Sequence, residues 1–401
     1  MTDSAADSAP APVALLVALM VVSQVAITIF LPSLPSIAED LGTSQALVQM
    51  TISAYLGSFA LAQLVVGPLS DAIGRRRPLI AGLVLFTLGG LACALAPNIT
   101  FLVTARVVQA VGGCACIVIS RAIVRDTTDG PAATRAMAYL GMSLAVAPMV
   151  APLVGGQLEM RFGWQSSFLA TALMGGGALV ATLLTLKETL PPAARQFTRA
   201  SNLISTYLNL SRMVRFMGYS LSAGAMAATF QAFLAGTPIA FIIVMGVSPE
   251  TFGFFLISAP AGYIVGNFIA SRLARTVPRE RMIWIGGILS IAGTSATVAL
   301  ALGGLDTPTT LILPVFIYSW GSGFLIPNSL AGALTEVEPA AAGSASALGG
   351  FIQMGAGFLS TLAIASLVQT SFLQIGLLML GCSILSWLFF NVMVRSEKPA
   401  A

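Results

Sequence analysis

Twelve long apolar runs, at about 13–31, 47–66, 78–96, 101–120, 136–155, 166–186, 216–245, 251–271, 282–302, 309–331, 345–367 and 372–394, leave this chain few ways to fold. Each is long enough to cross the roughly 30 Å hydrocarbon core of a bilayer at about 1.5 Å per helical residue. Hydrophobic residues make up 57% of the 401 and charged residues 8%, and the mean hydropathy of +0.92 lies outside the soluble range. The expected fold class is an all-α membrane protein with twelve transmembrane helices.

Threaded alternately from a cytoplasmic amino terminus, the spans put nearly all of the 19 Lys and Arg residues inside. Only Arg161 falls outside, and only Arg106 within a span. Such a bias sets both termini in the cytoplasm. The net charge of +4 therefore reads as topology, and without aromatic interleaving no nucleic-acid partner is expected. Cys93, Cys114, Cys116 and Cys382 all lie in apolar runs. Cys114 and Cys116 point to different helix faces, which argues against a disulfide or a metal site. With no histidine in the chain, neither a metal nor a cofactor is expected.

The runs divide the chain into a disordered cytoplasmic tail (1–12), an amino-terminal six-helix bundle (13–186), a cytoplasmic linker (187–215), a carboxy-terminal six-helix bundle (216–394) and a second cytoplasmic tail (395–401). The first tail has no basic stretch and the first run no cleavage site, so its helix should be retained. In the linker, Leu203, Ile204, Tyr207 and Leu208 recur at helical spacing, as in a helix lying partly on the inner membrane surface. Gly42-Thr43-Ser44-Gln45 before the second span is echoed half a chain length later by Gly246-Val247-Ser248-Pro249-Glu250 before the eighth. Ser44 and Ser248 are expected N-caps, with Pro249 at the first helical position. A repeat of that period is what two related bundles leave behind.

Between the second and third runs lies GPLSDAIGRRRPL, read as a short loop on a membrane face. Gly67 and Gly74 allow positive φ or close approach, Pro68 stiffens a helix exit, and Asp71 is the one acid beside Arg75, Arg76 and Arg77. The stretch resembles the loop signature of the major facilitator superfamily, fitting at Gly67, Leu69, Asp71, Gly74, Arg75 and Arg76. The resemblance implies two six-helix bundles and a conformational switch at this loop.

Arg106 with Gln109, followed by Ala110 and Gly112, resembles a second superfamily pattern in which Ala110 replaces a glycine. A buried arginine costs roughly 2.5 to 3.5 kcal/mol on insertion scales, so Arg106 should face a cavity or an acceptor. Gating, substrate contact or proton coupling is one reading, and a hydrogen-bonded strut between helices is the other. Gln109 shares its helix face. In the fifth span, Gly141, Pro148, Pro152, Gly155 and Gly156 resemble the superfamily's antiporter helix, which implies export. The same residues also describe a kinked packing helix.

LPSLPSIAEDLG after the first span, SRAIVRD at Ser120–Asp126, GTPIAFIIVMGVSPETFG from Gly236 and ASALGGFIQMGAG near the eleventh span resemble the bicyclomycin and chloramphenicol resistance (Bcr/CflA) drug-efflux subfamily. Where that subfamily carries an aspartate at the end of the first span, this chain has Thr28. Thr28 cannot titrate, so Asp126, at a span end, becomes the candidate proton carrier. Asp71 and Asp126 are expected to pair with Arg75, Arg76, Arg121 or Arg125. Polar or aromatic residues at mid-span depth are candidates for a central site: Gln24, Thr28, Tyr55, Gln231, Tyr263, Asn267, Tyr318 and Gln353. Each also fits an interhelical hydrogen bond.

The function expected is secondary transport: export of small drug-like molecules or metabolites by alternating access, in antiport with protons. The alternative is a uniporter or differently coupled exporter. An intramembrane enzyme or receptor is disfavoured, since no nucleotide loop, metal cluster or paired membrane carboxylates occur and no extramembrane domain is long enough. The partners are then a small-molecule substrate, protons and the lipid bilayer, for a monomer in a bacterial inner membrane.

Overall fold

The structure, a computed structural model, describes residues 12–128, 130–192, 195, 200–274, 276–338, 341–367 and 371–396. The two expected tails, apart from Pro12, Arg395 and Ser396, and part of the linker lie outside the described residues. Twelve helical segments are long and apolar enough to span a membrane, and the described residues contain no strand. In hydrocarbon each backbone N–H and C=O must be met by the protein itself, within the segment in a helix or between strands in a closed barrel.

In the first half, α1 (Val13–Thr28) continues through a 3-10 turn (Leu31–Ser33) into α2 (Leu34–Asp40) as one span. There follow α3 (Gln45–Ile73), α4 (Arg76–Ala94), α5 (Ile99–Thr127), α6 (Gly130–Phe162) and α7 (Gln165–Thr185). The linker carries α8 (Ala200–Arg212). The second half holds α9 (Val214–Pro238), α10 (Pro249–Leu256) with α11 (Ser258–Leu273), α12 (Arg279–Leu302), α13 (Pro308–Thr335), α14 (Ala342–Ser366) and α15 (Leu373–Phe390). A π-helical turn, Ile239–Val244, extends α9.

Polar side chains close the helix ends. Ser44 Oγ accepts from the Leu47 N–H at 3.3 Å, Asn98 Oδ1 from that of Phe101 at 2.9 Å, and Thr307 forms a capping box with Thr310. Ser248 stands at the expected N-cap with Pro249 opening the helix, but its hydroxyl lies 3.0 Å from Thr251 Oγ1 and makes no bond to the helix backbone. The repeat survives in the main chain, where Gly42 and Gly246 both turn left-handed, at φ 58° and 70°.

The Gly67–Leu79 stretch is not the open loop expected. The 29-residue α3 runs through Gly67 and Pro68 to Ile73, and α4 begins at Arg76, so the turn shrinks to Gly74 and Arg75. A helix of that length reaches about 43 Å, beyond the hydrocarbon, so Ser70 and Asp71 continue it into the polar zone. Gly74 adopts φ 97°, and a Cβ there would also overlap the Glu188 carboxylate. Gly67 has no such need: it is helical, and its Cβ would meet only Val118 at 3.8 Å.

We call the face carrying the Gly74 turn, α8 and both described chain ends the basic face. The two bundles touch along α3 against α14 and α6 against α10 and α11. Toward the opposite face they are packed shut. Gln49 Nε2 donates to the Ala235 carbonyl at 2.9 Å, Ser53 Oγ lies 2.8 Å from Thr361 Oγ1, and one apolar cluster joins Phe30 and Phe168 to Phe233, Phe241, Phe252 and Phe372. Toward the basic face the bundles part around a cavity of about 650 Å³.

Candidate functional site

At the basic end of the first bundle the charges interlock. Arg75 is 3% exposed, and its Nε donates to Asp126 Oδ2 at 2.6 Å, with Nη2 3.4 Å from Oδ1. Its Nη1 donates to Asp71 and, at 2.8 Å, to Ser70 Oγ. Of the expected partners for the two aspartates, Arg75 takes both. Arg76 points elsewhere, donating through Nε to the Leu186 carbonyl at 2.7 Å and through Nη2 to that of Leu183 at 3.1 Å, so it satisfies the end of α7. In return Glu188, just beyond α7, accepts from the backbone N–H groups of Arg75 at 2.7 Å and Arg76 at 3.2 Å. A carboxylate at the start of α4 meets orphan donors and the positive end of the helix dipole. Glu188 escaped the sequence reading because its partner is a backbone more than 100 residues away.

Arg106 is fully buried in α5. Its Nη1 donates to the Ala26 carbonyl of α1 at 2.9 Å and to Gln109 Oε1 at 2.7 Å, and Gln109 Nε2 reaches Thr171 of α7 at 3.1 Å. The guanidinium lies 4.2 Å from the centroid of Tyr55, 4.6 Å from Phe30 and 5.8 Å from Phe168. Desolvated cation–π contacts are worth about 2 kcal/mol or more, comparable with the insertion cost of the charge. Arg106 and Gln109 thus tie α1, α5 and α7 together, the strut arrangement, although Arg106 Nε and Nη2 have no partner among the described residues. Phe30 and Phe168 carry no polar mark in the sequence, which is why the cage was missed.

In α6, Pro148, Pro152, Gly155 and Gly156 are buried, while Gly141 faces open space. A Cβ on Gly155 would overlap the Ile29 carbonyl oxygen, and one on Gly156 that of Pro249. Gly253 answers from α10, where a Cβ would sit 2.8 Å from Leu153 Cδ2. The glycines are the close-approach points at which α6 meets the first span and the other bundle.

The eight mid-span candidates do not converge on one cavity. Tyr55 joins the Arg106 cage, its hydroxyl 3.5 Å from the Ser23 carbonyl. Thr28 is buried, with no partner for Oγ1 among the described residues. Gln24 and Gln353 are half-buried, Gln231 packs where α9 meets Gly357 of α14, and Tyr318 is sealed in the second bundle beside Ser290. Tyr263 is half-buried and Asn267 exposed. The cavity at the basic face is lined instead by Gln63, Asp71, Arg75, Arg121, Arg125 and Glu338, with apolar walls from both bundles and Leu203 of α8. Arg121 and Arg125, in the SRAIVRD stretch, are expected from the sequence only as partners for the aspartates, whereas α5 carries them as wall residues of the cavity.

Residues 16–361 match the model of the Major Facilitator Superfamily. The chain is 34% identical over 367 residues to a Bacillus subtilis (strain 168) protein described as the uncharacterized MFS-type transporter YdgK, covering 91% of this chain and 90% of that one. It is 31% identical over 371 residues to multidrug resistance protein D of Escherichia coli (strain K12), covering 91% of both. Among solved structures, the partially occluded inward-open xylose transporter XylE from E. coli shares the fold with a TM-score of 0.74, at 13% identity over 96% of this chain and 98% of that one.

Proposed function

The chain belongs to the Major Facilitator Superfamily, a family of membrane transporters rather than enzymes, and from that premise we propose that it exports small organic molecules by alternating access. The observation carrying this reading is the asymmetry between the faces: bundles packed shut at Gln49, Ser53 and Gly156, and parted around a cavity at the basic face. With the basic face cytoplasmic, as its arginines favour, the cavity is where an exporter loads. Relatives named for multidrug resistance support a drug-like substrate range, and the four quoted sequence stretches are what support placement in the Bcr/CflA subfamily. The setting proposed is a bacterial inner membrane, with a monomeric protein and both termini inside.

Closing the cavity requires α3 and α14 to approach. Asp71 and the first residues of α14, Ala342 and Gly343, line the cavity together, so closure carries a carboxylate toward a helix amino terminus. Asp71 is then shared between Arg75 in one state and α14 in the other, and acts as a latch. Proton antiport, if it runs through Asp126, must coincide with release of Asp126 from Arg75. The second reading, transport without tight proton coupling, is favoured by Thr28, buried where the subfamily carries an aspartate.

Everted membrane vesicles with an imposed pH gradient, acid inside, test the reading. A neutral multidrug-type substrate such as radiolabelled chloramphenicol should accumulate inside, and collapsing the gradient should slow it if protons are coupled. Accumulation that ignores the gradient in either direction supports uncoupled transport, and no protein-dependent flux of any substrate in a panel would sink the exporter reading.

A further inference from the structure

Because Arg75 takes both Asp71 and Asp126, two other cations are left over. Arg121 and Arg125, one turn apart on α5, line the cavity, and neither has a hydrogen bond or ion pair among the described residues. Both guanidiniums belong to exposed residues, as side chains lining an open cavity should. Arg75 is shared between two carboxylates, so the Asp71–Arg75–Asp126 cluster keeps one net negative charge at its end of the cavity and Glu338 adds another, while Arg121 and Arg125 stand along α5 with no carboxylate in contact among the described residues. The remaining wall is largely apolar, with Val118, Met137, Leu203 and Leu334.

We propose that the cavity selects amphiphilic organic anions: a compact apolar body bearing one carboxylate or sulfonate, held by Arg121 and Arg125. The inference rests on the exporter reading above for its direction of loading. A guanidinium offers a planar fork of donors that matches a carboxylate, and two of them one helical turn apart present that fork twice along one wall. Low-dielectric walls strengthen their local field along α5, favouring an anion over a cation of equal size at that wall. A volume of about 650 Å³ accepts such a molecule whole.

The test uses the full-length protein in phosphatidylcholine nanodiscs and equilibrium binding of tritiated 1-naphthoate. Competitors sharing the ring are 1-naphthalenesulfonate, 1-naphthalenemethanol and 1-naphthylmethylamine. The acids should compete at least about tenfold better than the alcohol or the amine, the scale of one charge-assisted contact. Arg121→Gln and Arg125→Gln should each weaken naphthoate by about tenfold, Arg125→Lys by less, while exposed Arg281→Gln changes nothing. If Arg121→Gln does not purify as a monodisperse protein, the two Arg125 variants decide. An amine that competes as well as the acids, naphthoate binding indifferent to both glutamine variants, or no saturable binding would overturn the proposal. So would loss of binding in phosphatidylglycerol nanodiscs, which would assign the arginines to a lipid headgroup. Naphthoate that binds but never enters everted vesicles would count against export and leave the anion site standing. Vesicles that accumulate naphthalenemethanol without binding naphthoate would do the reverse.

Discussion

Arg75, in the turn before α4, and Asp126, at the end of α5, meet at 2.6 Å, joining two helices whose sequence positions are 51 apart. Burial by itself disfavours the Arg75 charge, and the hydrogen bond and charge of Asp126, then those of Asp71, outweigh it, so its pKa is held above the ordinary value. A base whose folded pKa is raised contributes fully below its unfolded pKa and loses that contribution only as pH rises through the folded one. For an arginine that window lies in strong alkali, so the guanidinium's side of the tie holds throughout the physiological range.

Asp71→Asn should leave insertion and thermal stability nearly unchanged and lower transport severalfold, because Arg75 keeps Asp126. Asp126→Asn leaves a buried guanidinium with only the more exposed Asp71. Removing one partner of a buried pair costs about 3 to 5 kcal/mol, and here the low end is expected, with a clear fall in Tm. Flux and Tm measured together separate the two, and wild-type flux in Asp71→Asn would remove the latch.

Gly156→Ala should disfavour the state closed at the opposite face, since its Cβ would overlap the Pro249 carbonyl oxygen of the other bundle. Spin labels at Leu95 and Leu305, 78% and 59% exposed at the ends of α4 and α12, report the gap between bundles. The variant should show a longer distance distribution than the wild type. An unchanged distribution means that α6 has slack the packing does not reveal.

Arg106→Lys should destabilise the protein by about 2 kcal/mol, even though the charge is conserved. An ammonium cannot both span the Ala26 carbonyl and Gln109 and lie flat against Tyr55 and Phe30. Thermal denaturation of the purified protein checks this, and a Lys variant as stable as wild type would mean that charge alone suffices there.

Cysteines introduced beside Arg195 and Arg279 should react with a membrane-impermeant maleimide only from the cytoplasmic side, and those beside Gly163 and Asp306 only from outside. The native cysteines cause little background, three being buried and Cys382 partly so. A single reversal would invert the assignment of the basic face.

Thr28→Asp should strengthen the pH dependence of export, because it adds a titratable group to a buried position that has none. Proton flux per substrate in proteoliposomes, compared with wild type and Asp126→Asn, checks the coupling route. Tight coupling in a wild type that ignores Asp126→Asn would place the proton path elsewhere.

The spans, their number and the membership of the family could be read from the chain alone, because the bilayer acts on each helix separately. Apolar length and the side on which each arginine falls are local properties, and hydrocarbon enforces them one segment at a time. Gly155, Gly156 and the turn at Gly74 were legible for a similar reason: a residue without a Cβ marks a close approach even when the neighbour is unknown. The neighbour itself was not legible. That Arg75 rather than Arg121 or Arg125 takes the aspartates, that Glu188 caps α4, and that Phe30 and Phe168 shelter Arg106 all depend on how helices rotate against one another. Lipid contributes little hydrophobic force to that rotation, so small-residue packing and interhelical bonds decide it, across separations that no sequence spacing encodes. The parted basic face and the shut opposite face belong to the same class, for they describe one arrangement of two bundles, and tertiary contacts alone distinguish it from the others the same helices can adopt.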